Sequence, residues 1–466
     1  MTNLAPINIG LASIWAGGGH NELRDFLFEE LEKNKGFNLK SFTHSNASYN
    51  WFNDNVFGNL PTYLNFLYKH APNDYPGISA INLVKECESF VNEFNPDIMI
   101  SSNFGVCSAF QFIKKTLGLS FVNIYAIPDY GHTGKSIFPQ NPYFKPDYVI
   151  VFDIETKKGL IDDMGFPAEK VIISGSIARE SFRKLIEDNK SIEKEALVKS
   201  INKEISDCPP LSPEKGTYIF SGGSGGVINK SFKLLKKIAE YQDQDPEIIK
   251  KKQYVIITGQ NSKFKDKINK LKKRYSNWSN FHPLPWIKQE TYAKLMLISD
   301  FPILITIAPA TINQLMTAEC GPLVIYHYRT GPELENVAFS IKEGIGIKLQ
   351  DPEAIIDKIV NGFTPEEERA FKQNAKDYLY LREELLKDLA PTITMIYRKE
   401  IEGLKERKKP TGMKINYDLI SPKVLLTLFV LLIPSSLIFA YAQYFKGKNK
   451  FLNNQIVQKI IELARS

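Results

Sequence analysis

Gly17, Gly18, Gly19 and His20 stand in a row, and together they offer two kinds of chemistry. Consecutive glycines let the backbone turn through conformations closed to other residues and bring its N–H groups close to an anion. The imidazole that follows can take a proton near neutral pH, which few side chains do unperturbed. The spacing matches neither the G-x-G-x-x-G fingerprint nor a loop ending in Gly-Lys-Ser/Thr, and a purely structural turn is the competing reading. A second glycine loop, Ser221-Gly-Gly-Ser-Gly-Gly226, offers a similar cradle without the histidine.

Each loop needs a strand before it and a helix after it. Residues 7–15 are an apolar run, and Leu23, Phe26, Leu27 and Leu31 recur at helical spacing behind His20. Strands are expected over 37–43, 96–102, 121–127, 148–152 and 171–175, with helices over 81–94 and 110–117 between them. This alternation predicts a parallel sheet with crossover helices. Ligands of such a sheet sit at the C-terminal ends of its strands, where residues 17–20, 101–103 and 129–132 fall. Residues 191–214 turn charged and then proline-rich, as a linker would. The theme then restarts: a strand over 218–220, the glycine loop, a helix over 229–241, and strands over 253–259, 301–307 and 322–326. Two domains that open alike imply a cleft with a phosphate-friendly loop on each wall. The expected division is 1–195, a linker 196–213, and 214–410 with returning helices.

At 466 residues, 43% hydrophobic and 24% charged, the chain has the material for two full cores. Four scattered cysteines without CxxC pairing argue against metal and disulfide frameworks and fit a reducing cytoplasm. Nothing at the N-terminus reads as a signal peptide. The net charge of +7 lies largely in lysine-rich runs, which suit solvated helix faces or an anionic membrane surface; no nucleic acid partner is expected. Residues 424–445 carry no charge and are long enough to span a bilayer. Pro434 in the middle and lysines at both ends leave a single kinked span and a re-entrant hairpin both open, so the expected segment is 421–446, with a basic amphipathic tail at 447–466. The aromatic stretch 56–70 is either core or a second lipid-facing surface.

Five stretches resemble the two-domain GT-B glycosyltransferases that include monogalactosyldiacylglycerol synthases, diacylglycerol glucosyltransferases and the peptidoglycan N-acetylglucosaminyltransferase. They are residues 17–20, 127–132, 174–178 with Phe182, 221–226, and 305–319 followed by Thr330-Gly-Pro-Glu-Leu-Glu-Asn336. The last is similar to the family's Pro-Gly-Gln-Glu-x-x-Asn donor loop. The departures are Ala308-Pro-Ala-Thr311 in place of a glycine-rich turn, and Gln314 where members carry a glutamate that grips the ribose. The resemblance implies an α/β fold of two Rossmann-like domains facing a cleft, here with the C-terminal membrane segment added.

It also implies roles. His20 is the expected base, with Asp129 sharing that role or orienting the acceptor. Gly17, Gly18, Gly19 and His132 would line the acceptor side, though structural packing is the better reading of His132. Ser221, Gly222, Gly223, Ser224, Gly225 and Gly226 would cradle the pyrophosphate by backbone N–H groups. Thr311, Gln314, Glu333 and Asn336 would bind the donor's phosphates, ribose or sugar. No Asp-x-Asp triplet is placed like that of the metal-dependent transferases, so neither metal nor cofactor is expected, only a UDP-sugar as co-substrate. The expected activity is inverting transfer of a hexose to a membrane lipid such as diacylglycerol, by a membrane-associated enzyme whose catalytic domains face the cytoplasm. A polyprenyl-linked acceptor, a UDP-sugar epimerase and a catalytically degenerate membrane-bound member are the alternatives.

Overall fold

The computed structural model describes residues 5–14, 18–44, 80–131, 145–205, 208–222, 231–259, 261–328, 332–404 and 408. The aromatic stretch 56–70, the membrane segment 421–446 and the tail 447–466 lie outside them, as do Gly17, His132 and Gly223 to Gly226. Among the described residues no helix is long and apolar enough to cross a membrane.

The first domain runs β1 (Ile7–Ile14), α1 (Gly18–Glu32), β2 (Phe37–His44), α2 (Ala80–Phe94), β3 (Ile98–Ser101), α3 (Phe104–Leu117), β4 (Val122–Ala126), β5 (Tyr148–Val151), α4 (Ile154–Asp162) and β6 (Val171–Ile173). Its six strands pair in parallel in the order β2-β1-β3-β4-β5-β6. Strands β3, β4 and β5 are buried along their whole length, as expected where helices cover both faces. Edge strand β2 instead shows water on much of its length. Two helices then follow, α5 (Glu180–Lys190) and α6 (Lys194–Glu204), the second inside the stretch that reads as linker. Helix α6 turns Leu197, Val198 and Ile201 inward, and its Glu204 binds Lys294 at 2.7 Å.

The second domain runs β7 (Gly216–Ser221), α7 (Ser231–Gln244), α8 (Glu247–Lys251), β8 (Lys252–Gly259), α9 (Ser262–Arg274), β9 (Phe281–Pro285), α10 (Gln289–Ile298), β10 (Phe301–Leu304), α11 (Pro309–Thr317), β11 (Leu323–Ile325), α12 (Pro332–Lys342), β12 (Gly346–Lys348) and α13 (Pro352–Asn361). Its sheet, also parallel, has the order β12-β11-β10-β7-β8-β9. Counted from its own first strand, this is the doubly wound order of dinucleotide-binding domains.

Helix α14 (Pro365–Leu386) leads the chain back. Thr364 and Glu367 start it with a reciprocal capping box, and Asn374 near its middle donates to the Gly344 carbonyl of the second domain at 3.1 Å. Near its end Arg382 donates to the Phe152 carbonyl of the first. Gly175, just past β6, lies directly beneath: a Cβ there would fall 1.6 Å from the Arg382 carbonyl oxygen. Helix α15 (Leu389–Tyr397) and the π-turn Arg398–Glu402 finish on the first domain, where Tyr148 donates to Glu400 at 2.7 Å. Lys408 closes against Ser120 through bonds of 3.0 and 3.2 Å. The largest apolar cluster runs without a break from Ile9, Phe26 and Ile124 through Ile219 and Leu304 to Ile393, so the two domains share it.

Candidate active site at the seam of the two sheets

In an open parallel sheet a crevice forms where the strand order reverses, because neighbouring strands there send their helices to opposite faces. In the first sheet that point lies between β1 and β3, and both sequence candidates from those strand ends meet at it. His20 sits in the first turn of α1, following β1. Its Nδ1 is 2.7 Å from the carbonyl oxygen of Ser102, which follows β3, and the Ser102 hydroxyl donates to the His20 carbonyl at 2.8 Å. A carbonyl oxygen only accepts, so the proton of the neutral ring is on Nδ1 and the lone pair on Nε2. Asn103 reaches Nε2 at 3.4 Å. Burial lowers the proton affinity of His20, against an upward pull from the Ser102 carbonyl and the Asp129 carboxylate. Gly18 and Gly19 form the same first turn, and a Cβ on Gly19 would meet open space.

The turn after β4 supplies the second candidate. Gly131 has φ +79°, a left-handed conformation that favours glycine, and a Cβ there would come within 3.0 Å of Glu335. Its N–H donates to Asp153 at 3.1 Å and its carbonyl accepts from Thr156 at 2.5 Å. Fixed in this way, the turn presses Asp129 and Tyr130 onto α12. The Tyr130 N–H donates to Asn336 Oδ1 at 2.9 Å, while Asn336 Nδ2 donates to Asp129 Oδ1 at 2.9 Å and to the Ile307 carbonyl at 3.3 Å. Burial raises the proton affinity of the Asp129 carboxyl, and the Asn336 amide and the His20 ring draw it part of the way back.

On the second wall the strand order reverses between β7 and β10. Ser221 ends β7, buried, and its carbonyl accepts from the Ile305 N–H at 2.9 Å; Gly222 follows. Pro309 opens α11 at the position where a missing N–H costs nothing, with buried Thr311 in the first turn and Gln314 one turn on. Glu333, in the first turn of α12, accepts from the Ile307 N–H at 3.4 Å. Asn336 is fully buried, its amide engaged by Asp129, Tyr130 and Ile307, so in this conformation it joins the walls. Among the described residues no group of three His, Cys, Asp or Glu side chains is placed to hold a metal ion.

Behind the seam lies a buried polar cluster that the sequence reading does not name. Tyr130 and Tyr378 share a hydroxyl contact of 2.8 Å, and both donate to Asn313 Oδ1, at 3.1 and 2.6 Å. Asn313, between Thr311 and Gln314 on α11, donates to Ser176 at 3.1 Å. The Arg382 guanidinium is buried over the rings of Tyr130, Phe339 and Tyr378 at 5.4, 5.2 and 5.1 Å. Aromatic faces stabilise a desolvated cation by about 2 kcal/mol. A separate cavity of about 210 Å³ lies beneath the C-terminal arm at the opposite ends of β4 and β5, and two of its lining charges, Lys114 and Asp147, pair at 2.5 Å.

No protein-family model matches the sequence, and no curated protein matches it. Solved structures share the architecture. The UDP-forming α,α-trehalose-phosphate synthase of Burkholderia vietnamiensis superposes with a TM-score of 0.57 at 9% identity, over 86% of this chain and 100% of that one. A UDP-GlcNAc 2-epimerase of Neisseria meningitidis, solved bound to UDP-GlcNAc, gives 0.54 at 13% identity, over 84% of this chain and 100% of that one. At such identities the likeness is one of fold: two parallel-sheet, Rossmann-like domains in the GT-B arrangement.

Proposed function

We propose that this chain is an inverting, metal-independent glycosyltransferase, similar to the glycolipid synthases, that moves a hexose from a UDP-sugar to a membrane lipid such as diacylglycerol. The observation that carries the reading is the convergence at one seam of a histidine with its lone pair on Nε2 and an acid, Asp129, bonded to the opposite wall through Asn336. In the proposed reaction the acceptor hydroxyl attacks the anomeric carbon as its proton passes to His20 Nε2. The bond from that carbon to the UDP oxygen breaks, and the electron pair leaves with UDP. A single displacement inverts the centre. Asp129 orients the acceptor hydroxyl and stabilises the imidazolium that forms. The backbone N–H groups of residues 222–226 and the start of α7 take the pyrophosphate charge, the stabilisation a metal gives elsewhere. Thr311, Gln314 and Glu333 hold the rest of the donor.

The uncharged segment 424–445, flanked by lysines, suits attachment to an anionic bilayer, which brings the cytoplasmic cleft to an acceptor dissolved in lipid. The test is incubation of the detergent-purified full chain with labelled UDP-sugars and a mixed lipid extract. Label in a glycolipid with release of UDP is the expected result. An epimerised UDP-sugar with no lipid consumed replaces the reading with an epimerase. UDP-sugar binding with no turnover in any combination replaces it with a degenerate member.

A further inference from the structure

Asn103 touches both a helix and the base. It is the N-cap of α3, with extended backbone (φ −132°, ψ 136°), and its Oδ1 accepts from the N–H groups of Gly105 and Val106 at 2.9 and 3.3 Å. Those bonds settle which way the amide lies, since only the oxygen can accept them. Nδ2 therefore faces His20 Nε2, at 3.4 Å. A neighbouring N–H donor and a protonated Nε2 repel each other, whereas a donor and a lone pair attract. The Ser102 carbonyl, at 2.7 Å from Nδ1, demands the proton on the other nitrogen. Two consecutive residues at the end of β3 thus impose one tautomer from both sides of the ring.

We propose that Asn103 is a positioning residue for His20: its amide, locked by the helix cap, keeps Nε2 unprotonated and aimed into the cleft until an acceptor hydroxyl takes the amide's place. The inference rests on His20 being the base. At 3.4 Å the contact is long for a hydrogen bond, so an incoming hydroxyl has little to displace. Among the described residues, the charged groups next along α1 from His20 are Glu22, Arg24 and Asp25; Asp129 follows β4, and Arg179 precedes α5. Glu22 pairs with Arg179 at 2.8 Å and Arg24 with Asp25, which leaves Asp129 as the charge that acts on the imidazole. The attraction of Asp129 for a proton on His20 is what the Asn103 donor opposes.

Two variants keep the cap while changing what faces Nε2, because Asp and Ser cap helices about as well as Asn. In Asn103→Asp a carboxylate oxygen replaces the amide nitrogen, and an anion in contact moves a titration midpoint by about one to three pH units. In Asn103→Ser the donor is removed and no charge is added. The experiment is nitrogen-15 NMR of the full chain labelled in histidine, with His20→Gln assigning the resonance, alongside turnover against pH. The expected result is the Nδ1–H tautomer in the wild type, a midpoint raised in Asn103→Asp, a smaller rise in Asn103→Ser, and an acidic limb of kcat that follows the midpoint. A wild-type ring with its proton on Nε2, or midpoints unmoved in the variants that fold, overturns the inference. A midpoint that moves while the kcat limb stays fixed upholds the part played by Asn103 and removes His20 as the base.

Discussion

Asn336 gives one amide hydrogen to Oδ1 of Asp129 at 2.9 Å, joining side chains 207 positions apart in the sequence. The bond ties the turn after β4 to α12 and so ties one wall of the cleft to the other. It also sets the direction of a carboxyl group that burial inclines towards its neutral form.

That inclination gives a pH signature. A carboxyl whose proton affinity is higher in the folded chain contributes stability that is complete below the unfolded value, about 4, and that is lost as pH rises through the folded value. Asp129→Asn keeps an oxygen for Asn336 and has nothing to ionise. Thermal unfolding should find the variant more stable than the wild type at pH 7.5 and equal to it near pH 4. A constant difference across that range would show that the carboxyl titrates alike folded and unfolded.

His20→Ala removes the base and leaves the apolar face of α1 in place. Turnover should fall about a hundredfold or more, the usual scale for a positioned general base, with the unfolding temperature little changed. Undiminished turnover takes His20 out of the mechanism.

Gly175→Ala places a methyl group where the Arg382 carbonyl oxygen now lies, 1.6 Å from the new carbon. Backbone on both sides must move, and overpacking of this kind costs about 3 kcal/mol. Chemical denaturation measures it; a loss below about 0.5 kcal/mol, the usual size of a surface change, would mean that α14 is not seated there.

Truncation after Thr411 removes the segment 424–445 and keeps every residue assigned to the cleft. UDP binding should be unchanged, activity on lipid in vesicles should drop, and activity on a short-chain soluble acceptor should persist. Vesicle flotation equal to that of the full chain would move the search for the attachment to residues 56–70.

The parallel strands were legible because strands buried on both faces are short continuous apolar runs, as at 148–151 and 323–325. Strand β9, Phe281–Pro285, carries two prolines and hides its nature; it is tolerated because it stands at a sheet edge. Helix α3 begins at Phe104 and not at 110, since Asn103, Gly105 and Ser108 together look like loop until the cap is seen. That His20 and Asp129 lie at one edge of the sheet could be read from the sequence because each follows a strand end; their roles come from the resemblance. The cluster of Tyr130, Asn313, Tyr378 and Arg382 could not: its bonds join residues 183 and 248 positions apart, and local periodicity carries nothing about such pairs. The same limit hid the second use of Asn336.

The chain leaves the first domain at Gly175 and returns along α14 at Arg382, and these two crossings touch. The two crossings form one packed seam behind the cleft, so a substitution there bears on both domains at once. The arm from Leu389 to Lys408 is bolted to the first domain through Tyr148 and Ser120. Whatever holds the chain beyond residue 408 therefore pulls first on that domain, and reaches the second only through it.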